Sequence, residues 1–137
     1  MESTNADVLH DLFAAANERD FARALSHYAR DIELFVPRGL EAGTFSGRDD
    51  VGGWFGNWYS SFAPGAHFQI DELHELDPGS LLVCVTFRGQ GRASGAEIHG
   101  EVIWIYRLRD GEIVRIEGFE TRTEAFAAAG LGTDGPT

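Results

Sequence analysis

At 137 residues, 43% hydrophobic and 24% charged, the chain has the length of one domain and enough apolar material for a core, which excludes a disordered class. The formal net charge is −11, and every basic position is a scattered Arg, which excludes nucleic acid as an expected partner because phosphate binding needs a basic surface. No apolar run approaches the roughly 18 residues of a membrane span, and the acidic opening MESTNADVLHDLF is unlike a signal peptide, so no membrane partner and a cytoplasmic setting are expected.

Residues 1–5 and 132–137 are expected to fray, leaving one domain over 1–137 with an ordered core of about 6–131. In VLHDLFAAANERD, Val8, Leu9, Leu12, Phe13 and Ala16 recur at helical spacing and form one apolar stripe. Asp20 can cap a second short helix, FARALSHYA, with Phe21, Ala24, Leu25 and Tyr28 inward. DIELFVP reads as a strand ended by Pro37, and RGLEAGTFSGR as a glycine-rich turn.

DDVGGWFGNWYSSF predicts a third helix capped by Asp49 or Asp50, with Val51, Trp54, Phe55, Trp58 and Phe62 on one face. Gly52, Gly53 and Gly56 lower its intrinsic propensity by about 1 kcal/mol each. Such a helix relies on tertiary packing, and its glycines allow close approach to a sheet or a ligand. Strands follow at about Phe68–Leu76, Leu81–Gly89, Glu97–Leu108 and Ile113–Thr121, then a short helix TEAFAAAG stopped by Gly130. Cys84, the one cysteine, lies inside LLVCVTF as a small core residue and forms no internal disulfide. Helices first and antiparallel strands late define an α+β domain.

The order of elements, YARDIELFVP, the SGR-DDVGGWF entry to the third helix and RLRDGEIVRIEGFETRTEAFAAAGL resemble the SnoaL-like proteins of the nuclear-transport-factor-2-like superfamily, over about residues 6–131. The resemblance implies a curved antiparallel sheet wrapped around N-terminal helices, a cone with an internal apolar cavity, and a homodimer. It implies no single activity, because the superfamily holds isomerases, cyclases, dehydratases, hydrolases and members without catalysis. The steroid-isomerase base falls at Val36, and its two oxyanion groups at Leu12 and Trp104. The epoxide-hydrolase triad falls at Val85, Phe87 and Gly118. All are apolar here. Of the cyclase His and Asp, His99 is the nearest imidazole to the expected place.

The hairpin GEVIWIYRLRDGEIVRIEGFE, residues 100–120, turns on Asp110-Gly111 or on Arg109-Asp110-Gly111. Face chemistry and the family pattern favour the longer turn with a bulge. That register pairs Tyr106 with Val114, Trp104 with Ile116, Val102 with Gly118 and Gly100 with Glu120. This face is apolar and lacks side chains at its glycines. The gap is either a pocket or space filled from the helices. The opposite face carries Ile103, Ile105 and Phe119 among charges and suits the homodimer contact.

Glu120 and Tyr28 are the candidate catalytic groups. A carboxylate beside Trp and Ile would have a raised pKa; otherwise Glu120 reaches solvent or pairs with Arg122. Tyr28 either points its hydroxyl into the cavity or is core with one hydrogen bond. Trp54, Trp58, Val102, Trp104, Ile116 and Gly118 are the candidate substrate-binding set, the two tryptophans being either an aromatic wall or ordinary core. His99-x-Glu101 lacks a third ligand, so no metal is expected, and no cofactor either. His10, His27, His67 and His74 look isolated. Two functional classes remain: a protein for a small hydrophobic molecule, as binder or as cofactor-free acid/base enzyme, and a non-catalytic module whose cavity is filled. A cavity above about 300 Å³ would favour the first.

Overall fold

The computed structural model describes residues 4–36 and 43–130. Its elements are α1 (Asn5–Asn17), α2 (Phe21–Leu25), β1 (Tyr28–Val36), β2 (Gly43–Ser46), α3 (Arg48–Ser60), β3 (His67–Asp77), β4 (Ser80–Gln90), β5 (Glu97–Arg109), β6 (Glu112–Phe119) and α4 (Arg122–Ala129). The strands form one curved, open six-stranded sheet in the order β2-β1-β6-β5-β4-β3. All neighbours are antiparallel except β1 and β6, which run parallel. This is the α+β architecture expected, with one parallel pair that the sequence pattern did not reveal.

Local chemistry explains most boundaries. Thr4 caps α1, its side chain accepting from the Asp7 amide while the Asp7 carboxylate accepts from the Thr4 amide. Residues 4 and 5 are therefore ordered rather than frayed; the remaining terminal residues expected to fray lie outside the described residues. Thr121 caps α4, and Gly130 ends it at φ 76°. α3 has no acidic cap: its N-cap is Gly47 at φ 91°, without a side-chain hydrogen bond, and Asp49 and Asp50 lie in its first turn.

Two segments depart from expectation near β1. The second helix stops at Leu25, and Tyr28 opens β1 instead of continuing the helical stripe. The cause is the parallel pairing, in which the Ile113 amide donates to the His27 carbonyl (2.8 Å) and Tyr28 pairs with Ile113. Gly43–Ser46, read as part of a turn, is a strand against β1, from Val36↔Gly43 to Glu33↔Ser46. The expected stop at Pro37 lies outside the described residues.

The β5–β6 hairpin corrects the expected register. Arg109 pairs with Glu112 across a two-residue turn, Asp110 (φ 53°) and Gly111 (φ 81°), the type I′ combination. The extra residue sits in β6, where Leu108↔Ile113 is followed by Arg107↔Arg115 and Val114 is left over. Beyond this bulge Tyr106 pairs with Ile116 and Trp104 with Gly118. Turn and bulge together displace the pairing beyond the bulge by two residues, an even number, so Ile116, Gly118 and their β5 partners keep their expected face, whereas before it Ile113 takes the core position expected of Val114.

The concave face is the main core. Ile32 and Leu34 of β1, Leu81, Val83 and Val85 of β4, Trp104 and Tyr106 of β5 and Ile113 and Ile116 of β6 meet Leu9, Leu12, Phe13, Val51, Trp54 and Phe55. The outer face holds a second, smaller core in which Ala125 and Phe126 of α4 cover Leu82, Cys84 and Ile103, with Ile105 and Phe119 partly buried alongside. At the β3 edge, Asn17 satisfies otherwise unpaired backbone: its Nδ2 donates to the Phe68 carbonyl (2.9 Å), and its Oδ1 accepts from the Phe68 amide (2.7 Å).

Candidate functional site

α3 has two working stripes. On one, Trp54 and Trp58 join an aromatic cluster against the sheet. Trp54 meets Trp104 edge-on at 6.2 Å between centroids, Phe55 meets Trp104 at 5.6 Å, and Trp58 meets Phe68 at 5.4 Å and Phe87 at 5.6 Å. Trp104 is 1% exposed, and Val102 and Ile116 lie in the same core. The space left by Gly100 is occupied, since a Cβ there would come within 2.9 Å of the Phe87 ring across the strands.

On the other stripe, Gly52, Phe55, Gly56 and Tyr59 recur at i, i+3, i+4 and i+7 and line an apolar pocket of ≈ 120 Å³ with Leu12, Ala16, Phe21, Ala24, Leu25 and Tyr28. Of the residues expected to form a site, Tyr28 alone borders this pocket. Arg48 fixes Tyr28 by donating to its backbone carbonyl from Nη2 (2.9 Å) and Nε (3.2 Å).

Tyr28 and Tyr59 are 4% and 9% exposed. Neither hydroxyl has a hydrogen-bond partner among the described residues, where no sealed side-chain polar atom lacks one, so these hydroxyls border open space. Burial pushes both phenols well above the ordinary tyrosine range, and Tyr59 adds to the rise at Tyr28. Tyr106, 2% exposed behind them, is raised by burial and then by Tyr59 and Tyr28. These groups stay protonated at neutral pH and present O–H donors to an apolar space.

Glu120 is not brought to Tyr28. Tyr28 pairs with Ile113 at the start of β6, whereas Glu120 lies exposed in the bend after β6. At about 3.3 Å per residue, up to about 23 Å of strand separates the two positions. The apolar wall expected around Glu120 does not cover it, and the expected catalytic pair cannot act on one small substrate.

Two histidines that look isolated in the sequence have carboxylate partners. His27 Nε2 lies 2.7 Å from Asp11 Oδ2, and Asp11 also receives the Arg23 guanidinium. The hydrogen bonds from Arg23 and then His27 pull the Asp11 carboxyl down to about 2. His74 Nε2 lies 3.0 Å from Glu72 Oε1. Glu72 also accepts from Arg122 Nη1 at 2.6 Å, and the same Arg122 atom lies 3.3 Å from Cys84 Sγ. Burial raises the Cys84 thiol to about 11, so it is a core group and not a nucleophile at neutral pH. Among the described residues no three His, Cys, Asp or Glu side chains are grouped to hold a metal ion.

α4 divides the outer sheet face. On one side lies a groove of ≈ 590 Å³ lined by the polar side chains of His67, Gln69, Thr86, Arg88, His99 and Glu101 together with Phe87 and Gly100. The strand register aligns His67, Arg88 and His99 in one row.

A SnoaL-like domain family model matches residues 9–116, and the chain belongs to that family. Similar solved structures share the nuclear-transport-factor-2-like fold. A protein of that type from Burkholderia thailandensis is 26% identical, with TM-score 0.73 over 93% of this chain and 98% of that one. A Mycobacterium tuberculosis protein in complex with estradiol-17β-hemisuccinate is 14% identical, with TM-score 0.72 over 88% and 95%. TerC co-crystallised with polyporic acid is 22% identical, with TM-score 0.72 over 93% and 98%. No curated protein matches the chain in sequence.

Sequence reasoning missed Tyr59, although its spacing from Gly52, Phe55 and Gly56 is a helical stripe. The tryptophans on the neighbouring stripe carry the stronger hydrophobic signal. His27–Asp11 had no sequence signal, because the pairing depends on how α2 docks on α1.

Proposed function

We propose that the protein binds a compact apolar molecule carrying a carbonyl or hydroxyl oxygen, in the pocket between α1, α2 and α3. The observation that carries this reading is a pair of largely buried tyrosines, Tyr28 and Tyr59, in an otherwise apolar lining, with no hydrogen-bond partner for either hydroxyl among the described residues. A hydroxyl that is open to the pocket and has no protein partner is free to donate to a ligand oxygen. Among the described residues the lining holds no carboxylate or imidazole to accept a proton, which favours binding over acid/base turnover. The fold relatives seen with estradiol-17β-hemisuccinate and polyporic acid support the class of ligand. The ≈ 120 Å³ volume favours a smaller one, and the interior filled by aromatic rings favours the non-catalytic reading of the family. A cytoplasmic setting belongs to the same reading; among the described residues no helix is long and apolar enough to cross a membrane.

The test is calorimetric titration with phenol and cyclohexanone. Tyr28→Phe and Tyr59→Phe should each weaken binding about three- to tenfold while the fold is kept. Absence of binding to the parent protein, or Phe variants that bind as the parent does, would refute the reading.

The assembly proposed is a homodimer through the outer face. Much of the apolar surface expected to make that contact, with Ile103 2% exposed, is covered by α4. What favours a second copy is charge complementarity. The His67–Arg88–His99 row is followed along the same face by Glu101 and, further on, by Glu72, both near Arg122, and a two-fold axis would set each row against the other copy's carboxylates.

A further inference from the structure

The glycines of α3 are not equivalent. None of Gly52, Gly53 and Gly56 has a positive φ, so the backbone requires glycine at none of them. Packing accounts for Gly52, where a Cβ would come within 2.5 Å of Leu25 Cδ2. At Gly53 and Gly56 a Cβ would meet nothing within 4 Å. Gly53 is exposed and apart from the pocket; Gly56 is half-buried and lines it. A helix is weakened by glycine where alanine would fit. At Gly56 neither conformation nor contact explains the missing side chain, and the space it leaves belongs to the pocket.

A second observation points to a ligand in that space. Tyr28 and Tyr59, both more than nine-tenths buried as residues, line the same pocket, and their side-chain hydroxyls have no hydrogen-bond partner among the described residues. Tyr59 is on α3 itself, one turn beyond Phe55 and three residues beyond Gly56.

We propose that Gly56 is the specificity-determining position of the pocket, holding one wall at the level of the α3 backbone so that a single ring fits beneath the two tyrosine hydroxyls. The proposal rests on the binding reading above and narrows it to monocyclic phenols and cyclic ketones. An apolar cavity of about 150 Å³ takes up benzene, so a pocket of ≈ 120 Å³ sets a single ring as the upper limit of what enters it. One methyl group at position 56 removes a substantial part of such a volume, and one methylene of misfit changes affinity by about tenfold or more.

The experiment compares the parent protein with Gly56→Ala and Gly53→Ala, using two probes. Xenon, followed by its NMR shift, reports open apolar space whatever the tyrosines do; phenol and cyclohexanone report the full site. Both variants should melt about 3–5 °C higher than the parent, since each removes a helical glycine. Gly53→Ala should keep xenon uptake and phenol affinity. Gly56→Ala should lose xenon uptake and bind phenol at least about tenfold more weakly. Gly56→Ala binding both probes as the parent does would overturn the proposal, and so would a parent that takes up no xenon. A parent that takes up xenon through Gly56 yet binds neither phenol nor cyclohexanone would leave the wall assigned and bring down the binding reading instead.

Discussion

At the scale of single residues, types and spacings identify which side chains are buried and say little about their neighbours. Trp104 was legible as a core-face residue from its alternation with Val102 and Tyr106, and it is 1% exposed. Trp104→Ala should cost about 3–5 kcal/mol in chemical denaturation, the range for an aromatic removed from a packed core. A loss under about 1 kcal/mol would mean that the ring borders open space. Glu120 shares that alternation, yet it lies past the last β6 pairing and is exposed, so the pattern carried it one step too far. Asp11 shows the opposite failure. Nothing in HDLF marks it, but Arg23 and His27 hydrogen-bond to its carboxylate and hold its pKa at about 2, below the ordinary 3.8. A depressed folded-state value contributes stability above the unfolded pKa and loses it as pH falls between those values. Asp11→Asn should therefore melt lower than the parent at pH 7, with the difference closing as pH falls from about 4 to about 2. A constant difference across that window would show that the carboxylate's charge is not what matters.

At the scale of elements, existence and order were readable because helical and strand periods are strong over ten or more residues. Features set by pairing were not. β2 is four residues long and exists because β1 offers it an edge; its own sequence, GTFS, has no strand pattern. The β5–β6 register depends on where one extra residue is accommodated, in the turn or at Val114, and both choices give the same apolar face beyond that point. α4 reads in the sequence simply as a short helix stopped by Gly130, and the structure makes it the cover of a second core. Phe126, fully buried, packs against His74 at 5.6 Å, and Arg122 lies over its ring at 4.7 Å while pairing with Glu72. Phe126→Ala should cost about 3–5 kcal/mol and strip hydrogen-exchange protection from α4 before the sheet unfolds. Protection lost everywhere at once would mean that α4 and the sheet form one cooperative unit.

At the scale of the whole molecule, the net charge of −11 sets the terms on which two copies can meet. Cation-bearing rows do exist on the outer face, but each copy also carries the full surplus of negative charge, and that surplus acts over a Debye length of about 30 Å at 0.01 M salt. At 0.15 M salt the length falls to about 8 Å, which screens the long-range repulsion and leaves contacts at hydrogen-bond distance much less affected. Exposed ion pairs are worth at most about 1 kcal/mol each, so local complementarity along His67, Arg88 and His99 cannot by itself overcome the repulsion at low salt. The proposed homodimer should then strengthen as salt rises, with sedimentation at micromolar concentration showing more dimer at 0.15 M than at 0.01 M. Arg88→Glu should abolish it at both salts, by setting like charges against the other copy's Glu101 and Glu72 while leaving the fold intact. A protein that sediments as a monomer under both conditions would remove the dimer, and the polar groove would then be open to solvent. A dimer that weakens with added salt would mean that attraction between the rows outweighs the net repulsion, and would place most of the contact energy in those few charges.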